Sequence, residues 1–230
     1  MASQNRPRIP SKTLILPAGT AWFAVTHPDR AENKWDPTNP NWSIRVVWEG
    51  EARKEVERLL GPLPLEALEI KKAELIAAAG SDMVKVKKAE AMEYEMPWRE
   101  VLSKETGEPT GEIEIVFKRP AWKTDRATKM KVRNSPPATV NAQAEIVSGL
   151  VIPNRSIVVV KMATWPVYFS SDNRAGIKRL LESVQLVSLP KARTPDASGF
   201  QKYEATGDDS DQSDYQPQGT DGAQTVGADY

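Results

Sequence analysis

EIEIVFKRPAWKTDRATKMKVR, residues 112–133, alternates apolar and charged side chains at both of its ends. In the first end, Ile113, Ile115 and Phe117 share one side and charged residues share the other, and the last five residues repeat the pattern. A period of two is typical of a strand with one buried face. Because a short polar connection containing Trp122 separates the two ends, the stretch predicts a β-hairpin.

This predicted hairpin is strongly basic. Between Lys118 and Arg133 it contains seven basic residues and one acidic residue. A sheet that presents cations and an aromatic ring to solvent suits a phosphate backbone and stacked bases. Charges also keep the edge of a sheet from aggregating, and this stretch alone does not separate the two roles. The cations predicted to line a phosphate track are Lys118, Arg119, Lys123, Arg126, Lys129, Lys131 and Arg133.

The net charge of zero hides a charge asymmetry along the chain. The 31 basic residues balance 31 acidic ones, but residues 204–230 hold seven of the acidic residues and none of the basic ones. Residues 1–203 therefore carry a net charge of +7. A basic body with an acidic tail predicts a polyanionic partner and a tail that competes for the same surface. The tail residues expected to interact are Asp208, Asp209, Asp211, Asp214, Asp229 and Tyr230.

Cysteine is absent from the 230 residues, which excludes disulfides, thiolate nucleophiles and sulfur ligands for metals. The first twelve residues lack the apolar core of a signal peptide, and no apolar run reaches membrane-spanning length. Together these features predict a soluble protein of a reducing cytoplasm.

Hydrophobic patterning predicts a mainly β fold with five or six strands, mostly antiparallel. A strand over residues 42–48 is followed by two helices, over residues 51–60 and 64–79, and a long closing strand lies within residues 175–189. Short strands that close a barrel, with a helix filling one gap, are the outline of an OB-fold. We therefore predict an OB-fold-like antiparallel five-stranded barrel with a helical insertion, although a β-sandwich fits the same strand count.

Composition predicts a domain boundary near residue 190. From about Lys191 onward, Pro, Gly, Ser, Asp and Gln dominate and aliphatic side chains are few. Such a segment cannot bury enough apolar surface to offset its ordering entropy. Residues 1–190 are predicted to form one domain, and residues 191–230 a disordered acidic tail.

Catalytic motifs are absent from the sequence, which contains no P-loop, no GxSxG and no HExxH. The lone histidine, His27, lies beside a proline in a predicted loop. Asp29, Glu32 and Asp36 could gather Mg²⁺ as nuclease carboxylates do, although capping of turns is the commoner role of such residues. The sequence therefore predicts a non-catalytic protein without a metal or other cofactor. A Mg-dependent nuclease and a basic-faced protein-interaction module are the alternatives.

The predicted closing strand carries the residues of a family resemblance. Residues 181–189, LESVQLVSL, reproduce the pattern LESVxLVxL. In these features the sequence resembles the single-stranded DNA-binding proteins of short-tailed, podovirus-type bacteriophages. Further matching landmarks, in the order of the family, are Pro28-Asp29, Asn39-Pro40, Met96-Pro97-Trp98, Ala175-Gly176 and the terminal Asp229-Tyr230.

The resemblance implies an OB barrel that binds single-stranded DNA with little sequence preference. It places the protein in the cytoplasm of an infected bacterium, in phage DNA replication, recombination or repair. It also implies that the acidic tail, with Tyr230 as a terminal apolar anchor, contacts phage replication or recombination proteins.

Site residues follow from the same resemblance. Phe117-Lys118-Arg119 corresponds to the family's basic-aromatic strand, and Arg45 is the expected replacement for a basic residue that the family often carries after Asn-Pro. Trp35 fits a base platform as well as a loop anchor, whereas Trp42 and Trp48, on the apolar face of their strand, are expected in the core. The other aromatic residues considered as base-stacking groups are Trp122, Trp165, Tyr168 and Phe169.

Overall fold

The structure is a computed structural model that describes residues 11–32, 37–125 and 127–190. Strands dominate these ranges, as the sequence predicts. The strands are β1 (Lys12–Ile15), β2 (Gly19–Val25), β3 (Asn41–Trp48), β4 (Glu93–Tyr94), β5 (Arg99–Leu102), β6 (Pro109–Pro120), β7 (Trp122–Thr124), β8 (Lys131–Arg133), β9 (Ala138–Val140), β10 (Ile157–Thr164), β11 (Pro166–Phe169), β12 (Arg174–Ile177) and β13 (Leu180–Ser188). The helices are α1 (Gly50–Leu60), α2 (Pro62–Ala79) and α3 (Met83–Glu90).

Five of the strands close into a barrel. β2 pairs with β3, β3 with β6, β6 with β13, β13 with β10, and β10 with β2. Four of these ladders are antiparallel, whereas the ladder between β6 and β13 is parallel. A small closed barrel with this strand order is an OB-fold. The predicted five-stranded barrel is therefore confirmed, and the β-sandwich is excluded.

β3 and β6 form a continuous ladder that runs from the Asn41–Pro120 pair to the Trp48–Ile113 pair. Every second side chain of β3, beginning with Trp42 and ending with Trp48, is buried in the barrel. Opposite them, Ile113, Ile115 and Phe117 of β6 are buried on the same side. Because successive side chains of a strand alternate between faces, the residues between these buried positions point outward.

The hairpin predicted for residues 112–133 is wrong as a single unit. β6 pairs with β3 and β5, and the last residues of the stretch, β8, pair with the short β7 in a separate two-stranded sheet. Alternation specifies which face of a strand is buried, but it does not specify which strand lies opposite. β3 takes the place of the predicted partner because its buried face completes the core against that of β6.

β1 and β2 are the two halves of one broken strand. β1 pairs with the second half of β10, and β2 pairs with its first two residues. At the break, a Cβ on Gly19 would lie 2.5 Å from Nε1 of Trp48. That Nε1 donates a hydrogen bond of 2.9 Å to the carbonyl oxygen of Pro17. The chain thus passes so close to the buried indole that only glycine fits.

The helical insertion lies between β3 and β6, where the sequence places it. The helices predicted over residues 51–60 and 64–79 correspond to α1 and α2. α3 forms in a charged segment, and the Asp82 carboxylate caps it by accepting hydrogen bonds from two backbone N–H groups. In the described residues no helix is both long and apolar enough to cross a membrane.

A second, smaller core fixes the hairpin formed by β11 and β12. This hairpin joins β4 in a three-stranded sheet, and α2 packs against it. Leu68 of α2, Met92 and Ala175 are buried together there, with Tyr168 partly buried against them. The β11–β12 hairpin is therefore held by the helical insertion as well as by the barrel.

Candidate nucleic-acid interface

The outward-facing side chains of β3 and β6 form one continuous surface, called the outer face below. Lys118 stands opposite Ser43 in the ladder, and Arg45 stands opposite Val116, so the two cations share this face. Lys118 is exposed, and Arg45 is half-buried. The outer face consists of Ser43, Arg45, Val47, Glu114, Val116 and Lys118.

Phe23 adds an exposed aromatic ring beside the outer face. The ladder between β2 and β3 shifts register after Trp22, and Phe23 adopts a positive φ of 50° there. This irregularity turns the ring outward, so that 63% of Phe23 is exposed. Its backbone N–H donates a hydrogen bond of 2.6 Å to Oδ1 of Asn154. This bond holds the backbone at the position that carries the exposed ring.

Two arginines lie over the neighbouring aromatic rings of β2. Cζ of Arg45 lies 5.4 Å from the centroid of the Phe23 ring, and Cζ of Arg155 lies 5.4 Å from that of Trp22. The two rings are 6.3 Å apart and tilted by 42°. Guanidinium groups beside aromatic faces are well suited to hold a base and its phosphate together.

Sequence reasoning missed this aromatic pair. Trp22 and Phe23 are consecutive residues of one strand, and consecutive side chains of a regular strand point to opposite faces. The pair alone was therefore a signal that one large ring lies outside the barrel. The register shift that exposes Phe23 carries no comparable signal in the sequence.

Two clefts open from the outer face and meet at Arg45, Val116 and Lys118. The bulge cleft, on the side of Phe23, has a volume of about 590 Å³ and includes Asn154 in its wall. The hairpin cleft, on the side of the β11–β12 hairpin, has a volume of about 550 Å³. Their shared residues make the two clefts a single path across the barrel.

The far wall of the hairpin cleft contains Phe169, Lys178 and Arg179. A Cβ on Gly176 would lie 3.0 Å from Cε2 of Phe169, so the half-buried ring packs closely on the opposite strand of its hairpin. The backbone N–H of Lys118 donates to the carbonyl oxygen of Arg179 at 3.4 Å. This bond brings the end of β6 and the start of β13 together in the cleft.

The cations of the hairpin cleft differ in availability. Burial lowers the pKa of Arg179 from its ordinary value, and its guanidinium donates to the carbonyl oxygen of Pro97. Lys118 and Lys178 are exposed and form no ion pair among the described residues. The two lysines are thus the cations best placed to meet a phosphate.

Arg119 lies away from the outer face. Its Nε donates to the carbonyl oxygen of Ser135 at 2.6 Å, and its Nη1 donates to that of Leu181 at 3.2 Å. These bonds tie β6 to the loop between β8 and β9 and to β13. The guanidinium has a structural role that the basic pattern of the sequence did not reveal.

The β7–β8 hairpin gathers most of the remaining predicted cations. Trp122 is 45% exposed, and Lys123, Lys129, Lys131 and Arg133 are exposed around it. Nη2 of Arg133 donates to the carbonyl oxygen of Pro28 at 3.2 Å, which links the hairpin to the loop between β2 and β3. This hairpin presents an aromatic ring among lysines, as the sequence predicts.

A carboxylate holds the turn of the same hairpin. Asp125 accepts hydrogen bonds from the backbone N–H groups of Ala127 and Thr128 and from the Thr128 hydroxyl. These bonds lower the pKa of Asp125, those from Thr128 contributing most and those from Ala127 and the charge of Lys123 less. Asp125, the one acidic residue between Lys118 and Arg133, is therefore engaged in hydrogen bonds within its own turn.

Trp165 and Tyr168 lie away from both clefts. Trp165 lines a small cavity with Leu63 and Ile70 of α2. Tyr168 packs in the second core and donates its hydroxyl hydrogen to Oδ1 of Asn173 at 3.0 Å. Of the three aromatic residues predicted at this strand end, only Phe169 lines the hairpin cleft.

Several predicted site residues lie outside the described ranges. They are Trp35, Arg126, Asp208, Asp209, Asp211, Asp214, Asp229 and Tyr230, together with Asp36 of the alternative metal site. Within the described ranges, no three His, Asp or Glu side chains gather where they could hold a metal ion.

The fold of this chain resembles that of a solved phage protein. Gp2.5, a single-stranded DNA-binding protein encoded by bacteriophage T7, matches with a TM-score of 0.58 and 18% identity, over 84% of this chain and 98% of that one. The chain has the fold of gp2.5. The resemblance predicted from the sequence is therefore confirmed at the level of the fold.

A second match, of lower TM-score, is the single-stranded DNA-binding protein from bacteriophage Enc34 in complex with single-stranded DNA. It has a TM-score of 0.46 and 13% identity, over 79% of this chain and 89% of that one. No family model and no curated protein sequence matches the chain. The gp2.5 match thus rests on shape, at an identity too low to carry individual residues across.

Proposed function

We propose that this protein binds single-stranded DNA along the outer face without catalysing a reaction on it. The observation that carries the proposal is the path formed by the bulge and hairpin clefts. It places exposed Lys118 and Lys178 between two aromatic rings, Phe23 and Phe169. The OB-fold commonly binds oligonucleotides on the face of its second and third strands, which are β3 and β6 here. The shared fold of gp2.5, a phage single-stranded DNA-binding protein, supports the same partner.

The chemistry of this path favours binding with little sequence preference. Lysines attract any phosphate, and every base offers a ring face for stacking. The β7–β8 hairpin, with Trp122 among its lysines, would extend the track beyond the clefts. We propose that such binding protects and organises single strands during phage DNA replication, recombination or repair in the host cytoplasm.

A salt titration tests the proposal. We expect the full-length protein to bind a labelled oligonucleotide with a steep dependence on salt, because each neutralised phosphate contributes about −0.7 to the log–log slope. Three to six lysine and arginine contacts predict a slope between about −2 and −4. A mixed sequence and an oligo-dT of equal length should be bound with similar affinities. Neither oligonucleotide should be cleaved when Mg²⁺ is added. A slope near zero would contradict the electrostatic part of the proposal, and cleavage that EDTA stops would favour the nuclease instead.

We further propose that residues 1–190 are the binding domain and residues 191–230 an acidic tail that regulates it. Residues 204–230 carry a charge of −7 and residues 1–203 a charge of +7, so the tail can compete with DNA for the cations. A tail displaced by DNA would become available to basic surfaces of replication or recombination proteins.

Deleting residues 204–230 should therefore tighten binding to an oligonucleotide, most strongly at low salt, where screening is weakest. The measurement compares full-length protein with residues 1–203 at two salt concentrations. A matched control keeps the tail but replaces its seven acidic residues by Asn or Gln, and it should bind as tightly as the shortened chain. Equal affinity of all three proteins would leave the tail with only a solubilising role.

A further inference from the structure

Glu114 is a carboxylate on a face that we propose to bind phosphates. It lies on β6 opposite Val47, and its side chain points outward with Arg45 and Lys118. Only 10% of its side-chain surface is exposed. It lines the hairpin cleft, and on its other side a third cleft that also contains Phe23. An anion at this position opposes the approach of DNA.

Two arginines share this carboxylate. Nη1 of Arg45 lies 3.3 Å from Oε2 of Glu114, and Nε of Arg99 donates a short hydrogen bond to Oε1. Each carboxylate oxygen therefore faces a different guanidinium. A phosphate group would offer oxygens of the same charge to the same donors.

The two arginines are otherwise well placed for DNA. Arg99 is on β5, 65% of its side chain is exposed, and it lines the hairpin cleft. Arg45 joins the two clefts and lies over Phe23. Two of the cationic groups that line the path are thus paired with an internal anion.

We infer that Glu114 is an internal counter-ion that keeps Arg45 and Arg99 paired in the free protein and limits affinity for single strands. The inference rests on the proposed function. A phosphate entering the cleft must compete with Glu114 for the guanidinium groups, so binding gains fewer charge contacts than the number of cations suggests. If Glu114 instead only positioned the arginines for DNA, its removal would have the opposite effect and weaken binding.

Replacing Glu114 by Gln separates these two roles. Glutamine keeps the size of the side chain and one acceptor oxygen but removes the charge. We expect Glu114→Gln to bind an oligonucleotide roughly tenfold more tightly at low salt, since a nearby like charge has been removed. The log–log salt slope should steepen by about 0.7 to 1.4, the value for one or two further phosphate contacts.

Glu112→Gln is the matched control. Glu112 lies two residues earlier on the same strand, so the two carboxylates share a face and the substitution removes the same formal charge. Glu112 accepts a hydrogen bond from the Thr110 hydroxyl at 3.1 Å and pairs with no arginine among the described residues. Its replacement should leave the salt slope unchanged.

Adding Arg99→Gln to the Glu114→Gln variant should reduce the magnitude of the log–log salt slope by about 0.7. In the wild-type background, Arg99→Gln should change this slope by a smaller amount. Glu114→Asp, which keeps the charge but reaches less far, is the second variant if Glu114→Gln does not fold. It should also bind the oligonucleotide more tightly than the wild type, but by a smaller factor than Glu114→Gln.

The outcomes distinguish the two proposals. A wild-type protein that fails to bind single strands at any salt concentration would overturn the proposed function and this inference with it. A wild-type protein that binds, with a Glu114→Gln variant equal to it or weaker, would overturn the inference alone. Tighter binding by Glu114→Gln and Glu112→Gln to the same extent would also overturn it, because the effect would then be general charge.

Discussion

Replacing Lys118 and Lys178 together by glutamate should weaken binding to a single-stranded oligonucleotide about hundredfold at low salt. Both lysines line the hairpin cleft, and neither forms an ion pair within the part of the chain that the structure describes. Each therefore contributes one phosphate contact in the proposed track, and a tenfold loss for each contact corresponds to about 1.4 kcal/mol. The salt slope should fall in magnitude by about 1.4, the value for two phosphates.

Lys87→Glu with Lys88→Glu is the control for net charge. These lysines are exposed on α3, outside the clefts that meet at Arg45, and their replacement changes the total charge by the same amount. The control should lose far less affinity, with little change in slope. If the two double variants weaken binding equally, the long-range charge of the protein attracts DNA and the clefts have no special role.

Truncating Trp48 to alanine should lower the free energy of unfolding by about 3–5 kcal/mol. The indole is fully buried, and its ring packs edge-on against Phe117 with centroids 6.2 Å apart. The substitution leaves a cavity in the barrel core and removes the hydrogen bond from Nε1 to the carbonyl oxygen of Pro17. Urea denaturation followed by circular dichroism measures the loss.

Trp122→Ala is the matched comparison, because the residue type is the same and the ring is nearly half exposed. We expect it to change the free energy of unfolding by less than about 1 kcal/mol. In the proposed function it should weaken DNA binding, since stacking on one base is worth roughly 1–3 kcal/mol. A Trp122→Ala variant that unfolds as readily as Trp48→Ala would show that the ring supports the barrel.

The sequence carried enough information for the barrel because its strands are strongly patterned. The alternation of β3, with a tryptophan at each end, specified both the strand and its buried face. The two long helices were bounded by Gly61 and Gly80. The pairing of β6 could not be obtained in this way, since its partner in space lies about 70 residues earlier in the chain.

The basic residues of the candidate site could be predicted from the sequence, whereas the positions and contacts that depend on the fold could not. Lys118 and Lys123 are basic residues that the structure leaves exposed, as the pattern indicates. Arg119 belongs to the same basic run, but its guanidinium is used by backbone carbonyl groups that only the fold brings near. Phe23 escaped prediction because its exposure depends on a local register shift.

The parallel ladder between β6 and β13 has a consequence for folding during synthesis. The two strands meet at one paired position, Lys118 with Leu180, and β13 supplies the last strand of the barrel. Until Leu180 and the residues after it leave the ribosome, the end of β6 around Lys118 and the edge of β10 that faces β13 remain unpaired. Loops of this span close slowly because their contacts are distant in sequence. A nascent chain that pauses before residue 180 therefore exposes unpaired strand edges that can aggregate with other chains. The yield of folded protein then depends on how quickly β13 is synthesised.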